Sequence, residues 1–281
     1  MGYRQTVRQR TLTPSFQGSN PCSPVGTPVK YSSGFCFIME REKMYTFESR
    51  IRYSEVGRDG NLTLESLLDY FQDTSTFHSE DLGLGVDYLE QQHMAWVLSS
   101  WQIVVDRYPH LSEQVTIGTS PYDFKGFVGY RNFLMETEKG ERLACANSIW
   151  ILMDPLKGMP VKPPAEMLEG YVLSPKLGMD YAPRKINVPE GGQAMEMVPV
   201  KPHHLDTNGH VNNGQYVRIA MDYVPTDLDI RQMRAEYKKP AILGDVICPV
   251  VVEAREHRCY TISLNGKDGK PYSIVEFTGR S

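Results

Sequence analysis

One plan occurs twice along this 281-residue chain, and it restricts the fold more than any other feature. Each copy reads as strand, turn, helix, then further strands. In the first, "MYTFESRIRYSEVG" places Tyr45, Phe47, Ile51 and Tyr53 among polar residues, the alternation of a half-buried strand. "NLTLESLLDYFQDTSTFHSEDLG" follows, with Leu64, Leu67, Leu68 and Phe71 at helical spacing and Gly83 as a stop. Strand candidates come next at 95–108, 114–124, 127–137 and 142–154. In the second copy "AMEMVPVKP" is strand-like and "LDTNGHVNNGQYVRIAMDYVP" is a turn, then a helix. "DIRQMRAEYKKPA" leads into strands at 245–256, 259–270 and 273–279, with "NGKDGK" as a hairpin turn. A helix followed by antiparallel strands is an α+β layer pattern, the helix covering one face of the sheet.

The chain therefore divides into a tail (1–43), a first half (44–154), a Pro- and Gly-rich connector (155–192) and a second half (193–281). Laid in register, the two turns put Glu55 opposite Asp206, Gly60 near His210 and Tyr70 near Tyr223. Identity is low, so this is a repeat of pattern. Only the second turn combines Asp, Asn and His, which points the chemistry to the C-terminal half.

Composition narrows the classes. No stretch reaches the roughly 18 apolar residues that span a bilayer, so no membrane span is expected. A net charge of −4 argues against a general nucleic-acid binder. Five cysteines without CxxC spacing fit structural thiols in a reducing compartment better than a disulfide framework. Residues 1–43 carry six Lys/Arg against two Glu and are rich in Ser, Pro, Gly and Thr, which predicts disorder. The same composition resembles an organelle transit peptide, and Met39 or Met44 would start a chain that folds at once.

"LDTNGHVNN" (205–213) supports three readings. It can be a helix start, with Asn208 or Asn212 capping free N–H groups and Gly209 making the turn. It can be a metal site of His203, His204, Asp206 and His210, although adjacent histidines are not a zinc spacing. Or it can be hydrolytic. A helix N-terminus favours a carbonyl oxygen gaining negative charge, Asp206 would attack or activate water, Asn208 would orient, and His210 would move a proton.

"LDTNGHVNNGQYV" resembles the active-site segment of the acyl-ACP thioesterases, which release fatty acids from acyl carrier protein (ACP). The form Asp-x-Asn-x-His-Val-Asn-Asn followed by a Tyr-bearing helix is met by Asp206, Asn208, His210, Val211, Asn212, Asn213 and Tyr216. "VVDRYPHLSEQVTI" (104–117) and "MRAEYKKPAILGD" (233–245) extend the similarity over roughly 44–280. The resemblance implies a tandem hotdog fold, two helices each wrapped by an antiparallel sheet. It implies Asp206, Asn208 and His210 as the catalytic set, and no cofactor.

One departure matters. Plant members carry a Glu-Cys pair where "EYKKPA" places Pro240 and Ala241, which leaves a papain-like mechanism without its Cys. Glu236 is a possible substitute, but an Asp206-centred mechanism is favoured. The hydratase form Asp-x-Asn-Pro-x-His is not met, because Gly209 and His210 break its spacing. An acyl-CoA thioesterase and a non-catalytic acyl-binding protein remain as alternatives.

The acidic carrier protein should dock on basic residues, and Arg218, Arg231, Arg234, Lys238 and Lys239 are the candidates. Leu67, Phe71 and Trp101 are candidates for an acyl tunnel, or simply core. Both a monomer and a homodimer fit a chain that already holds two hotdogs. "EYKKPA" resembles bacterial members and suggests a cytoplasmic protein, with a plastid as the alternative if residues 1–43 are a transit peptide.

Overall fold

The computed structural model describes residues 44–254 and 258–280; the disorder expected for 1–43, Cys22 and Cys36 lie outside them. Strand β1 (Tyr45–Arg50) leads through a turn to helix α1 (Leu64–Asp81), then α2 (Val86–Gln91), β2 (Ala95–Val105), β3 (Gln114–Lys125), β4 (Val128–Thr137) and β5 (Arg142–Asp154). The connector holds β6 (Met159–Pro160) and α3 (Ala165–Gly170). The second half runs β7 (Gln193–Ala194), β8 (Val198–Pro199), α4 (Asn213–Met221), β9 (Ile230–Tyr237), β10 (Val246–Ala254), β11 (Cys259–Asn265) and β12 (Pro271–Gly279).

All pairings between these strands are antiparallel, and the main path runs β1-β3-β4-β5-β2-β9-β12-β11-β10-β7. Read outward from the β2–β9 seam, the two halves have the same order, so each strand of the first half has a counterpart in the second. The duplication is thus topological as well as patterned. The α+β tandem hotdog expected above is what the chain forms.

Helices α1 and α4 start on side-chain caps. The Thr63 hydroxyl accepts the N–H of Ser66 (3.2 Å), and Asn212 Oδ1 accepts the N–H of Gly214 (2.8 Å). Leu64, Leu67, Leu68 and Phe71 are buried as their spacing predicts, and Gly83 (φ +70°) follows the helix end in the left-handed region. A single apolar cluster takes in Phe71, Trp101, Ile103 and Phe133 with Val217, Met233, Ile262 and Phe277, so one core serves both halves.

The connector is not a free loop. Gln102 Nε2 donates to Asp180 O (2.8 Å), Gln102 Oε1 accepts from Ala182 N (2.9 Å), and Glu236 Oε2 accepts from Ile186 N (3.0 Å). Residues 180–186 are thereby strapped across β2 and β9. Helix α2 was not anticipated, and "AMEMVPVKP" forms two short pairings on β10 where a longer strand was expected.

Candidate active site

The turn before α4 repeats the turn before α1 bond for bond. Asp206 N donates to His210 O (2.7 Å), as Gly57 N does to Asn61 O (2.9 Å). Asn212 N reaches His204 O (2.9 Å), as Thr63 N reaches Glu55 O (3.0 Å). Gly60 and Gly209 sit at φ +77° and +74°, where a side chain is strained. This matching pairs Glu55 with His204, Gly57 with Asp206, Gly60 with Gly209 and Tyr70 with Ile219. The alignment expected from sequence therefore slips, because turn glycines and backbone bonds set the register and similar letters do not.

Asp206 performs a local task and keeps an oxygen in reserve. Its Oδ1 accepts the N–H groups of Asn208 (2.8 Å) and His210 (3.1 Å), while Oδ2 has no hydrogen-bond partner among the described residues. The side chains of Asn208 and His210 are exposed and likewise make no bond among the described residues. The cap is Asn212, so cap and candidate reactive groups are different residues. His204 is buried, which lowers its pKa, and its Nδ1 accepts the N–H of Lys201 (3.1 Å). Among the described residues no group of three or more His, Cys, Asp or Glu is placed to hold a metal ion.

The two turns differ in access. A Cβ on Gly60 would lie 2.5 Å from His110 Cε1, so the first turn is plugged by an imidazole. A Cβ on Gly209 would meet nothing within 4 Å. Behind the open turn, Val211 N donates to Ala241 O (2.9 Å), Ala241 N donates to the buried Tyr216 hydroxyl (2.9 Å), and His210 pairs with Ile242. Tyr216 thus fixes the loop carrying Pro240 and Ala241 beside the motif. Glu236 is buried and bonded to Ile186 N and Lys238 Nζ, so it serves the connector.

A cavity of about 480 Å³ starts at this turn, where Thr207 and Asn208 line it, and runs into the first half. Its walls include Ser75 and Ser79 of α1, Trp96, Phe124, Trp150, Tyr171 and Arg131. The volume is in the range of small-molecule sites, about 300–1,000 Å³. Leu67, Phe71 and Trp101 do not line it; they are closed core, with the Trp101 ring 4.8 Å from Phe133 and 6.4 Å from Phe71. The three acyl-tunnel candidates thus belong to the core that adjoins the cavity.

A family model for the acyl-ACP thioesterase N-terminal domain matches residues 42–171, and one for the C-terminal domain matches 189–271. The chain belongs to the acyl-ACP thioesterase family. Among similar proteins are a chloroplastic acyl-(acyl-carrier-protein) hydrolase of Cuphea viscosissima, 26% identical over 215 residues (70% of this chain, 51% of that one), and a chloroplastic palmitoyl-acyl carrier protein thioesterase of Arabidopsis thaliana, 28% over 207 (67% and 50%). The chain spans about half the length of these relatives. An acyl-ACP thioesterase structure from Bacteroides thetaiotaomicron superposes with a TM-score of 0.79 at 21% identity, covering 86% of this chain and 99% of that one. The 12:0-ACP thioesterase of Umbellularia californica gives 0.73 at 19%, covering 84% and 97%. At those identities the likeness is one of fold.

The basic docking candidates of this family member are unequal. Arg234 is held by Glu276 (2.8 Å) and by the carbonyls of Pro183 and Lys185. Lys238 pairs with Glu236 (2.6 Å), and Lys239 pairs with Asp268 (3.0 Å) over the Tyr272 ring. Arg218 is exposed with Glu65 at 4.0 Å, and the exposed Arg231 makes no ion pair among the described residues.

Proposed function

We propose that this chain hydrolyses the thioester of a fatty acyl group carried on acyl carrier protein, releasing the free acid. The observation that carries the reading is the junction at the α4 turn. A carboxylate with one oxygen unengaged stands on the loop whose next residues, Thr207 and Asn208, open the cavity. Asp206 Oδ2 takes a proton from water as the water oxygen bonds to the thioester carbon. The C–S bond then breaks, and the leaving thiolate takes the proton, with His210 as its carrier. Asn208 orients the water or the carbonyl. A thiolate leaves readily, so the chemistry does not require the Glu-Cys pair that Pro240 and Ala241 replace. The first half holds the acyl chain and the second supplies the reacting groups.

The carrier protein is acidic, and of the five candidates Arg218 and Arg231 are the least engaged by other side chains and the ones that meet it. A monomer and a homodimer both accommodate this division of labour. The cytoplasmic assignment rests on the likeness of "EYKKPA" to bacterial members.

The test is hydrolysis of matched acyl-ACP and acyl-CoA substrates over a C8–C18 series by the full chain and by Asp206→Asn. Faster turnover on the carrier protein, lost by at least 100-fold in a folded Asp206→Asn, is the expected result. Preference for acyl-CoA would keep the chemistry and replace the partner. No hydrolysis of either, or an active Asp206→Asn, would sink the reading.

A further inference from the structure

Two side-chain atoms among the described residues are sealed from solvent without a hydrogen-bond partner, Gln72 Oε1 and Trp101 Nε1. The indole is locked in the core against Phe71 and Phe133. Gln72 differs, because its face of α1 leads to the reacting turn. Buried polar atoms are paired almost without exception, so an orphaned acceptor calls for a physical cause. Its hydroxyl-bearing neighbours on the helix do not serve it. Ser75 and Thr76 donate to the Gln72 backbone carbonyl instead (2.8 and 3.1 Å).

The packing of α1 on α4 locates that face. Arg218 of α4 lies 4.0 Å from Glu65, and a Cβ on Gly214 would lie 3.6 Å from Leu68 Cδ2 and 3.8 Å from Asp69 Oδ1. Further along α1, Ser75, Thr76 and Ser79 line the cavity together with Thr207 and Asn208. Residue numbers rise along α1 as they fall from α4 into its turn, so the two segments run antiparallel. Glu65, Leu68, Asp69, Ser75, Thr76 and Ser79 make one stripe at helical spacing, and Gln72 is its middle member. Bracketed by Gly214 on one side and Thr207–Asn208 on the other, Gln72 stands across from the join between the Asp206 turn and α4. Two acceptors at this junction are therefore unengaged, Gln72 Oε1 and Asp206 Oδ2. A water molecule brings two O–H donors.

We propose that Gln72 is a further catalytic residue of the hydrolysis: its Oε1 accepts one O–H of the attacking water while Asp206 Oδ2 takes the other proton. This rests on the thioesterase reading and brings a residue of the first half to the reacting groups of the second. The proton that Gln72 holds is not transferred. It stays on the oxygen that bonds to the thioester carbon and leaves with the free acid. Held by two acceptors, the water has a lone pair aimed at the carbonyl carbon, which is the gain that fixed orientation supplies.

Gln72→Met keeps the length and helix propensity of the side chain and removes its acceptor. The full chain, this variant, Gln72→Glu and Asp206→Asn are assayed on the C8–C18 acyl-ACP series and melted in parallel. Because Oε1 has no partner in the fold to lose, Gln72→Met should melt at or above the wild-type midpoint. Its kcat should fall by at least about 30-fold, with KM within about threefold of wild type. Gln72→Glu restores an acceptor oxygen and should recover at least about tenfold of that loss. A Gln72→Met that unfolds, keeps its kcat or loses activity through KM alone overturns the proposal, as does a Gln72→Glu no better than it. In each of those cases an active wild type and an inactive Asp206→Asn leave the thioesterase reading standing. A wild type that cleaves no thioester removes that reading and this inference together.

Discussion

Asp206 is both a turn former and the candidate reactive group, and the two roles can be pulled apart. Its Oδ1 supports the turn through two backbone N–H groups, a task an Asn oxygen performs equally well. Asp206→Ala removes the acceptor and is expected to cost about 1 kcal/mol, by analogy with lost caps. Asp206→Asn should stay within about 0.5 kcal/mol of wild type, as substitutions that break no such feature do. Denaturant midpoints for the pair check this; equal losses would mean the charge, not the turn, stabilises the loop. The motif was legible because its residue types and spacing carry both roles openly. Arg131 was passed over, although a signal existed. Period-two alternation puts it on the face of Phe133 and Met135, which are fully buried, so an Arg in that register is an inward charge.

Helix α1 carries one of the pH-sensitive groups of the first half. Its His78 stacks on Tyr45 (5.0 Å), meets Tyr171 edge-on (5.6 Å), and offers Nδ1 to Arg131. Since guanidinium only donates, Nδ1 is the acceptor and the proton sits on Nε2. Burial first, and then the Arg131 charge, hold the His78 pKa down to about 4, with Asp81 opposing. The unfolded chain binds this proton near pH 6.5, so the stabilising contribution is complete above that and lost as pH falls toward about 4. Unfolding free energy should drop by up to about 1.4 kcal/mol per pH unit across that window from this group. His78→Gln keeps an acceptor for Arg131 and should flatten the slope between pH 6.5 and 4.5, measured by urea unfolding at stepped pH. An unaltered slope would place the titration elsewhere. At this scale the strands and both main helices were readable from periodicity. The register between the two turns was not, because the backbone bonds that define it leave no mark in residue identity.

Across the whole molecule the two hotdogs share one sheet and one core. β2 and β9 pair from Ser100↔Glu236 to Val104↔Gln232, and the apolar cluster crosses the same seam. The connector adds the third tie, and its lack of periodicity hid this. It is ordered by side chains reaching out from the sheet, such as Gln102 and Glu236, rather than by a pattern of its own. Gln102 is 5% exposed and bonds Asp180 O, Gln232 Oε1 and Ala182 N together. Gln102→Ala leaves those buried groups without it and should cost about 1–3 kcal/mol. Because strap, seam and core are shared, the loss should lower one common transition. Fluorescence of Trp96, Trp101 and Trp150 follows the first half, and far-ultraviolet circular dichroism follows both. The two melts should coincide in wild type and shift together in Gln102→Ala. A variant in which fluorescence melts first would show that the strap alone couples the halves, and that the β2–β9 pairing does not suffice.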